Sequence, residues 1–409
     1  MEPELIAGIE PRGAPGRRTS VWLVGTAFAL FGLVFGVWQV ALPDLQRTLD
    51  LSGGALGRAL TAGFLASFPV ALLGGRLSDR WGERRLIAVG AMLMALAFGG
   101  LMVVRSYGAL LLLLFIFFGA SGAYDVGITA AALANEHAGG QGRLAYYHAA
   151  FSAASGAGAL LGGGLVALGV PYLYLYGGLA VALGVLTVPA LRLGAGPAAA
   201  STPTAASSET AASAPALGLG VWRLPGLAAL AGIAALAYLT EGALEDWMAI
   251  YLRGPLGLSP AVGAVGLGVI HGSLLLGRLA TGRLSHRLDR RRLMTGGGLL
   301  TVLGMGLALA TAWPPLVLAG LAVTGVALAG LAPTAFTLGG NRAPAHMGEV
   351  SAALTTVGYL GFLIGPVVIG GLSDSIGLRA ALSTLILAGA LIITLSALVR
   401  EPRAPAAGR

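Results

Sequence analysis

Gly74-Gly75-Arg76-Leu77-Ser78-Asp79-Arg80-Trp81-Gly82-Glu83-Arg84-Arg85 is a short charged link between two long apolar segments, about 55–77 and 86–104. A partial copy stands 207 residues later, where Gly75-Arg76-Leu77-Ser78-Asp79-Arg80 recurs as Gly282-Arg283-Leu284-Ser285-His286-Arg287. Five of the six residues are identical, and both copies close the second apolar segment of a run and lead into a basic stretch. A duplicated chain is implied, and duplication of membrane segments places a binding site between the two repeats.

Working outward, apolar stretches of helix-spanning length lie at about 21–42, 55–77, 86–104, 109–132, 144–168 and 174–193. A second set follows at 224–250, 261–284, 292–312, 316–339, 348–372 and 379–399. A bilayer core of about 30 Å needs about 20 apolar residues per helix, so the expectation is an all-α polytopic membrane protein of twelve transmembrane helices in two six-helix halves. The divisions are an N-terminal tail at 1–20, a first bundle at 21–193, a linker at 194–221, a second bundle at 222–400 and a tail at 401–409. The linker is rich in Ala, Ser, Thr and Pro and reads as a flexible connector. Arg17-Arg18 precedes an apolar segment too long for a signal peptide, which is therefore expected to stay as the first helix.

Composition agrees: 56% of the chain is hydrophobic and 10% charged, where soluble domains carry about 25% charged residues. The 66 glycines fall largely inside apolar runs, where small residues let membrane helices approach. With no Cys and no Lys, disulfides, thiolate chemistry and a P-loop are excluded. No HExxH or GxSxG motif is present, so neither an enzyme nor a cofactor or metal site is expected. Arg does not give up its proton, so any proton carrier must be a carboxylate or one of five His. The high pI of about 10.3 does not indicate nucleic-acid binding. With the N-terminus inside, the arginines divide twenty to five in favour of the tails and even-to-odd loops. This bias predicts cytoplasmic termini in a prokaryotic inner membrane.

The 74–85 link resembles the signature between the second and third helices of the major facilitator superfamily, and the resemblance covers about 21–400. Finer features resemble the fucose-permease-related branch that includes the rhizopine-associated membrane proteins. They are Glu241-Gly-Ala-Leu-Glu245-Asp246-Trp247 before Tyr251-Leu252, His148-Ala-Ala-Phe151-Ser152, and Tyr124-Asp125-Val126. Thr129 stands where that branch has Asn, and His286 replaces the Asp of the signature in the second copy. The resemblance implies a monomeric transporter with helices 1, 4, 7 and 10 around a central cavity. It also implies a cytoplasmic gate of Gly75, Asp79, Arg80, Gly82, Arg84 and Arg85, with Arg283 and Arg287 at corresponding positions. There, Asp79 docks at the start of the eleventh helix and Arg80 meets Glu136, and both contacts hold the outward-open state.

A charge at mid-bilayer costs about 2.5–3.5 kcal/mol and normally faces a cavity or a partner. Asp125, His148, Glu241 and His271 are such residues. His271 lies ten residues into its segment and Glu241 nine before the end of the preceding one, which predicts contact at matched depth. Glu241 and Glu245 share a helix face, and Asp246 corresponds to Gln39 at the 207-residue offset, so both are expected to face the cavity. Asp125 and His148 enter from the same side and suggest a hydrogen-bonded proton relay. Trp38, Tyr124, Tyr147, Phe151, Tyr238 and Tyr359 are candidates for stacking on a solute ring. Gly365-Pro366 lies in the eleventh segment, whereas antiporters of the superfamily carry a glycine-proline motif in the fifth. The expected function is proton-coupled transport of a small polar solute such as a sugar by alternating access. Efflux of drugs or metabolites is the alternative, and a non-transporting sensor or scaffold is the reading from another class.

Overall fold

The computed structural model describes residues 20–137, 143–192, 220–285, 287–343 and 346–399, with some side chains in these stretches, Gly75 and Asp79 among them, left undescribed. The tails, most of the linker and His286 lie outside the described residues. Fourteen α-helices appear among the described residues. The first half holds α1 (Val21–Thr48), α2 (Gly53–Trp81), α3 (Glu83–Leu101), α4 (Tyr107–His137), α5 (Arg143–Ala167) and α6 (Tyr172–Arg192). After a short 3-10 turn at Val221–Arg223, the second half holds α7 (Leu227–Arg253), α8 (Pro260–Leu284), α9 (Arg290–Ala310), α10 (Pro314–Leu328) and α11 (Leu331–Arg342). It ends with α12 (Met347–Ile376), α13 (Leu378–Leu382) and α14 (Thr384–Leu398).

Helix is dictated by the solvent these segments are built for. In hydrocarbon each backbone N–H and C=O must be paired within its own segment. Eleven spans among the described residues are long and apolar enough to cross a membrane, with α10–α11 and α13–α14 each forming one broken span. The 29-residue α2 makes the twelfth. The break between α10 and α11 has a local cause in Pro333, which lacks an N–H and whose ring crowds the carbonyl four residues back, at Ala329, where α10 stops.

The 207-residue offset holds for the whole fold. Shifting the start of each helix from α1 to α6 by 207 lands within three residues of the start of α7, α8, α9, α10, α12 and α13. Even the N-caps repeat: Ser52 accepts from Ala55 N–H at 3.1 Å at the head of α2, and Ser259 accepts from Val262 N–H at 3.4 Å at the head of α8. Packing repeats too, since α1 packs on α5 as α7 packs on α12. Between the halves, α2 packs on α12 and α5 on α8.

Glycine makes these contacts close. A Cβ on Gly32 or Gly36 would collide with the carbonyls of Phe151 and Ser155, and one on Gly361 with the carbonyl of Ala235. Across the halves, Gly57 lies against the carbonyl of Pro366 and Gly163 against Ala264. Arg76, Arg80, Arg84, Arg85, Arg283 and Arg287 lie at one end of the bundle, hereafter the Arg-rich end. The inter-half glycine contacts lie toward the other, Arg-poor end.

Gly36→Val is expected to lower stability by about 1–3 kcal/mol, the usual cost of overpacking, seen as a lower midpoint of thermal unfolding. Gly164→Val on α5, the helix that Gly36 of α1 packs against, meets nothing within 4 Å at its Cβ and is expected to leave the midpoint unchanged.

Candidate substrate cavity

A cavity of about 410 Å³ lies between the halves. It is lined from mid-bundle toward the Arg-rich end by α1, α2, α4, α5, α7, α8 and α12. Its other end is shut by the inter-half contacts described above and by an ion pair. The Arg253 guanidinium at the end of α7 grips Asp44 near the end of α1 in two bonds, of 2.7 and 2.8 Å. Arg253 is buried, and its fork suits a carboxylate.

The walls differ in chemistry. Along α7, Tyr238, Glu241, Gly242, Glu245 and Asp246 share one helical stripe that lines the cavity. Glu241 pairs with Arg278 of α8 at 3.1 Å, and Arg278 also donates to Ser152 Oγ at 3.4 Å. About 6 Å deeper by helical rise, His271 Nε2 is 2.8 Å from Gln39 Oε1 and 3.1 Å from Ser155 Oγ. Its Nδ1 is 3.9 Å from Glu245 Oε1. With the Gln39 amide presenting Oε1, the proton is assigned to Nε2, which leaves Nδ1 as the acceptor facing the Glu245 carboxyl. Two acceptors face one another unless a further proton sits on one of them. His271 thus ties α8 to α1 and α5 of the other half, through groups that can hold or release a proton.

The wall built by α2 and α12 is aromatic, and Tyr238 of α7 packs against its edge. Tyr238 stacks on Phe362 with centroids 5.0 Å apart, and Phe64 on Phe362 at 6.3 Å. The repeat explains the contrast: subtracting 207 takes His271 to Phe64, and adding it takes Ser155 to Phe362. The same inter-half position is a hydrogen bond between α5 and α8 and a ring stack between α2 and α12.

The residues expected from sequence are distributed as follows. Asp125, His148, Glu241, Glu245, Asp246, His271 and Gln39 all line the cavity. The expected Glu241–His271 contact is replaced by Glu241–Arg278 and Glu245–His271, because the rotation of α7 turns Glu245 toward the imidazole. No bond joins Asp125 and His148 among the described residues; instead His148 sets its ring against Phe28 at 5.3 Å. Trp38 and Tyr124 do not line the cavity. Trp38 is buried against Phe117 and Tyr176, and the Tyr124 hydroxyl donates to the Ala27 carbonyl at 2.9 Å. Both are core residues because their segments pack on neighbouring helices of the same half. Of the other ring candidates, Tyr147 is buried and stacks on Phe28 at 5.5 Å, while Phe151, Tyr238 and Tyr359 line the cavity.

Of the gate residues, Gly75 and Asp79 have side chains outside the described residues. Arg80, Arg85, Arg283 and Arg287 are exposed, Arg84 is buried, and Gly82 makes the turn into α3 at φ 78°. Glu136 accepts from the Leu144 N–H at 3.0 Å.

Arg278, counted above among the twenty arginines of the tails and even-to-odd loops, lies within the predicted 261–284 span, six residues before the end of α8. Its depth was the available signal. Ser152 stood only as the end of the His148–Ser152 feature, and Ser155 carried no signal. Asp246 Oδ2 is buried with no hydrogen-bond partner among the described residues.

Removing one member of an ion pair leaves the other charge unmet. Arg278→Gln is expected to destabilise by about 1–2 kcal/mol, less than the roughly 3–5 kcal/mol of a fully buried pair, because the Arg278 side chain is 44% exposed. The double variant Arg278→Gln/Glu241→Gln is expected to regain part of that loss, which thermal unfolding measures.

The fold matches that of known transporters. Residues 24–281 and 273–409 match the model of the Major Facilitator Superfamily. An uncharacterized MFS-type transporter of Yersinia pestis is 26% identical over 378 residues, covering 91% of this chain and 93% of its own. Membrane protein MosC of Rhizobium meliloti is 26% identical over 383 residues, covering 92% and 89%. Among solved structures, a mutant of the nucleoside transporter NupG superposes with a TM-score of 0.78 at 14% identity, covering 93% of this chain and 100% of that one. A bacterial homolog of the human lysosomal transporter Spinster, in an inward-facing and unoccupied conformation, gives 0.70 at 15% identity, covering 92% and 96%. The twelve-span duplicated fold, the cavity between its halves and a family match spanning nearly the whole chain make this protein a membrane transporter of the Major Facilitator Superfamily.

Proposed function

We propose that the protein carries a small polar solute with a ring face, such as a sugar, across the prokaryotic inner membrane by alternating access coupled to protons. The observation that carries this reading is the two-faced cavity. Its aromatic wall of Phe64, Tyr359 and Phe362 on α2 and α12 offers flat surface for one face of a ring. The opposite wall offers Glu241, Arg278, Glu245 and His271 for hydroxyl groups. A cavity of 410 Å³ suits a small solute, at the lower end of ordinary ligand pockets of about 300–1,000 Å³.

Proton coupling is supported by the charge balance of the lining. Four carboxylates, Asp125, Glu241, Glu245 and Asp246, line the cavity with one guanidinium, Arg278. Charges left unmet at this depth are costly, and protons relieve the surplus. His271 and Glu245 form the proton site: a proton between Nδ1 and the carboxyl turns two facing acceptors into a bond. Because the same imidazole reaches Gln39 and Ser155, its protonation acts directly on the contact between halves. The arginine bias supports an orientation with the Arg-rich end and both termini in the cytoplasm. On that orientation the cavity would face the cytoplasm, which supports reading the structure as the inward-open state of a carrier that works as a monomer.

The carboxylate surplus also supports a second reading, export of organic cations, in which the substrate itself supplies the charge.

Proteoliposomes with an imposed pH gradient separate these readings. Glu245→Gln and His271→Gln are expected to lose gradient-driven accumulation of a sugar at least ten-fold while retaining exchange of labelled for unlabelled solute. Loss of both activities together would leave these residues as substrate ligands and remove the proton assignment. Thermal stabilisation by lipophilic cations, with none by sugars or polyols, would put the export reading first. Ligand at about 100 times its Kd should raise stability by about 2.7 kcal/mol.

A further inference from the structure

The signature link has a second echo, at a place the 207-residue repeat does not reach. Leu77-Ser78-Asp79-Arg80-Trp81-Gly82 closes α2, and Leu372-Ser373-Asp374-Ser375-Ile376-Gly377 closes α12. The backbones match as well. Gly82 and Gly377 are each the single residue between two helices, at φ 78° and 81°, a region that favours glycine. Each donates its N–H back to the serine carbonyl of its own copy, at 2.8 and 3.1 Å.

The helices that carry the two copies are antiparallel neighbours across the interface between halves. The C-terminus of α2 is at the Arg-rich end with the N-terminus of α12, and the C-terminus of α12 is at the Arg-poor end with the N-terminus of α2. At the Arg-poor end the contact is formed. Asp374 Oδ2 accepts from the Gly54 N–H and from Ser52 Oγ, both at 3.0 Å. It therefore occupies an N–H that the first turn of α2 leaves without an intrahelical partner, at the positive end of the helix dipole. Gly53 and Gly54 make this approach possible, since a Cβ on either would collide with Ser373 or Asp374. The Asp44–Arg253 pair closes the same end between α1 and α7.

We propose that Asp374 is the outer latch of the transport cycle, a positioning residue that holds the cavity shut at the Arg-poor end by capping α2. It mirrors, at the opposite end of the same helix pair, the docking that family resemblance implies for Asp79 on the start of α12. One helix pair then carries a carboxylate-to-helix latch at each end, and the two latches close in alternate states. The inference rests on the alternating-access reading and names the residue that biases its equilibrium.

The test uses full-length protein in lipid nanodiscs, where the absence of native Cys makes introduced ones unique spin-label sites. Val103→Cys with Trp313→Cys reports the Arg-poor end across the halves, and Leu191→Cys with Leu288→Cys the Arg-rich end. All four residues are exposed. In the otherwise unaltered protein each pair is expected to show a short and a long distance. Asp374→Asn should raise the ratio of long to short distance at the Arg-poor end at least three-fold, with a matching rise of the short distance at the Arg-rich end. Asp374→Ser, which keeps a shorter acceptor, should give a smaller shift of the same sign and serves if the Asn variant does not fold. An unmoved ratio would overturn the latch, and so would widening at the Arg-poor end alone, which is fraying rather than switching. A single distance at both ends of the parent under every pH and solute would remove alternating access and the latch with it.

Discussion

A charge placed in hydrocarbon must find a counter-charge, a hydrogen-bonding partner or water, and this constraint organises the inside of the bundle. Asp125, Glu241, Glu245, Asp246, His271 and Arg278 all lie within helices that cross the bundle, and all line one cavity. The helices around them are arranged so that none of these groups needs to face lipid. The cavity follows from the charges as much as the charges decorate the cavity.

Duplication supplies the frame, and divergence within it supplies the chemistry. The two halves repeat their helix order at a constant offset, and two symmetry-related pairs of helices meet across the interface, α2 with α12 and α5 with α8. At one of these junctions the chain holds His271 and Ser155; at the other, Phe64 and Phe362. A symmetric scaffold thereby gains a polar wall and an aromatic wall. Close backbone approach at Gly53, Gly57, Gly163 and Gly370 keeps the junctions tight at the Arg-poor end. The carboxylates of Asp44 and Asp374 add directional bonds there.

Much of this was readable before any coordinates. Hydropathy and helix length are local properties, and they located the spans; the repeated Gly-Arg-Leu-Ser fragment located the symmetry axis in the sequence. Charges within the spans pointed to the cavity, and seven of the nine coupling or substrate candidates do line it. Trp38 and Tyr124 pack within the first half instead, because an aromatic residue in a span gives the same signal whether it faces a cavity or a neighbouring helix.

The sequence by itself determined the solvent, the number and order of spans, the duplication and the depth of each charge, because these depend on a residue's position along its own helix. Tertiary structure alone decided the partners. Depth does not fix the rotation of a helix about its axis, and rotation turned Glu245 rather than Glu241 to His271 and gave Glu241 to Arg278. Nor does a sequence show which helix ends meet across an interface, so the role of Asp374 at the head of α2 emerged only from the packing of α2 on α12.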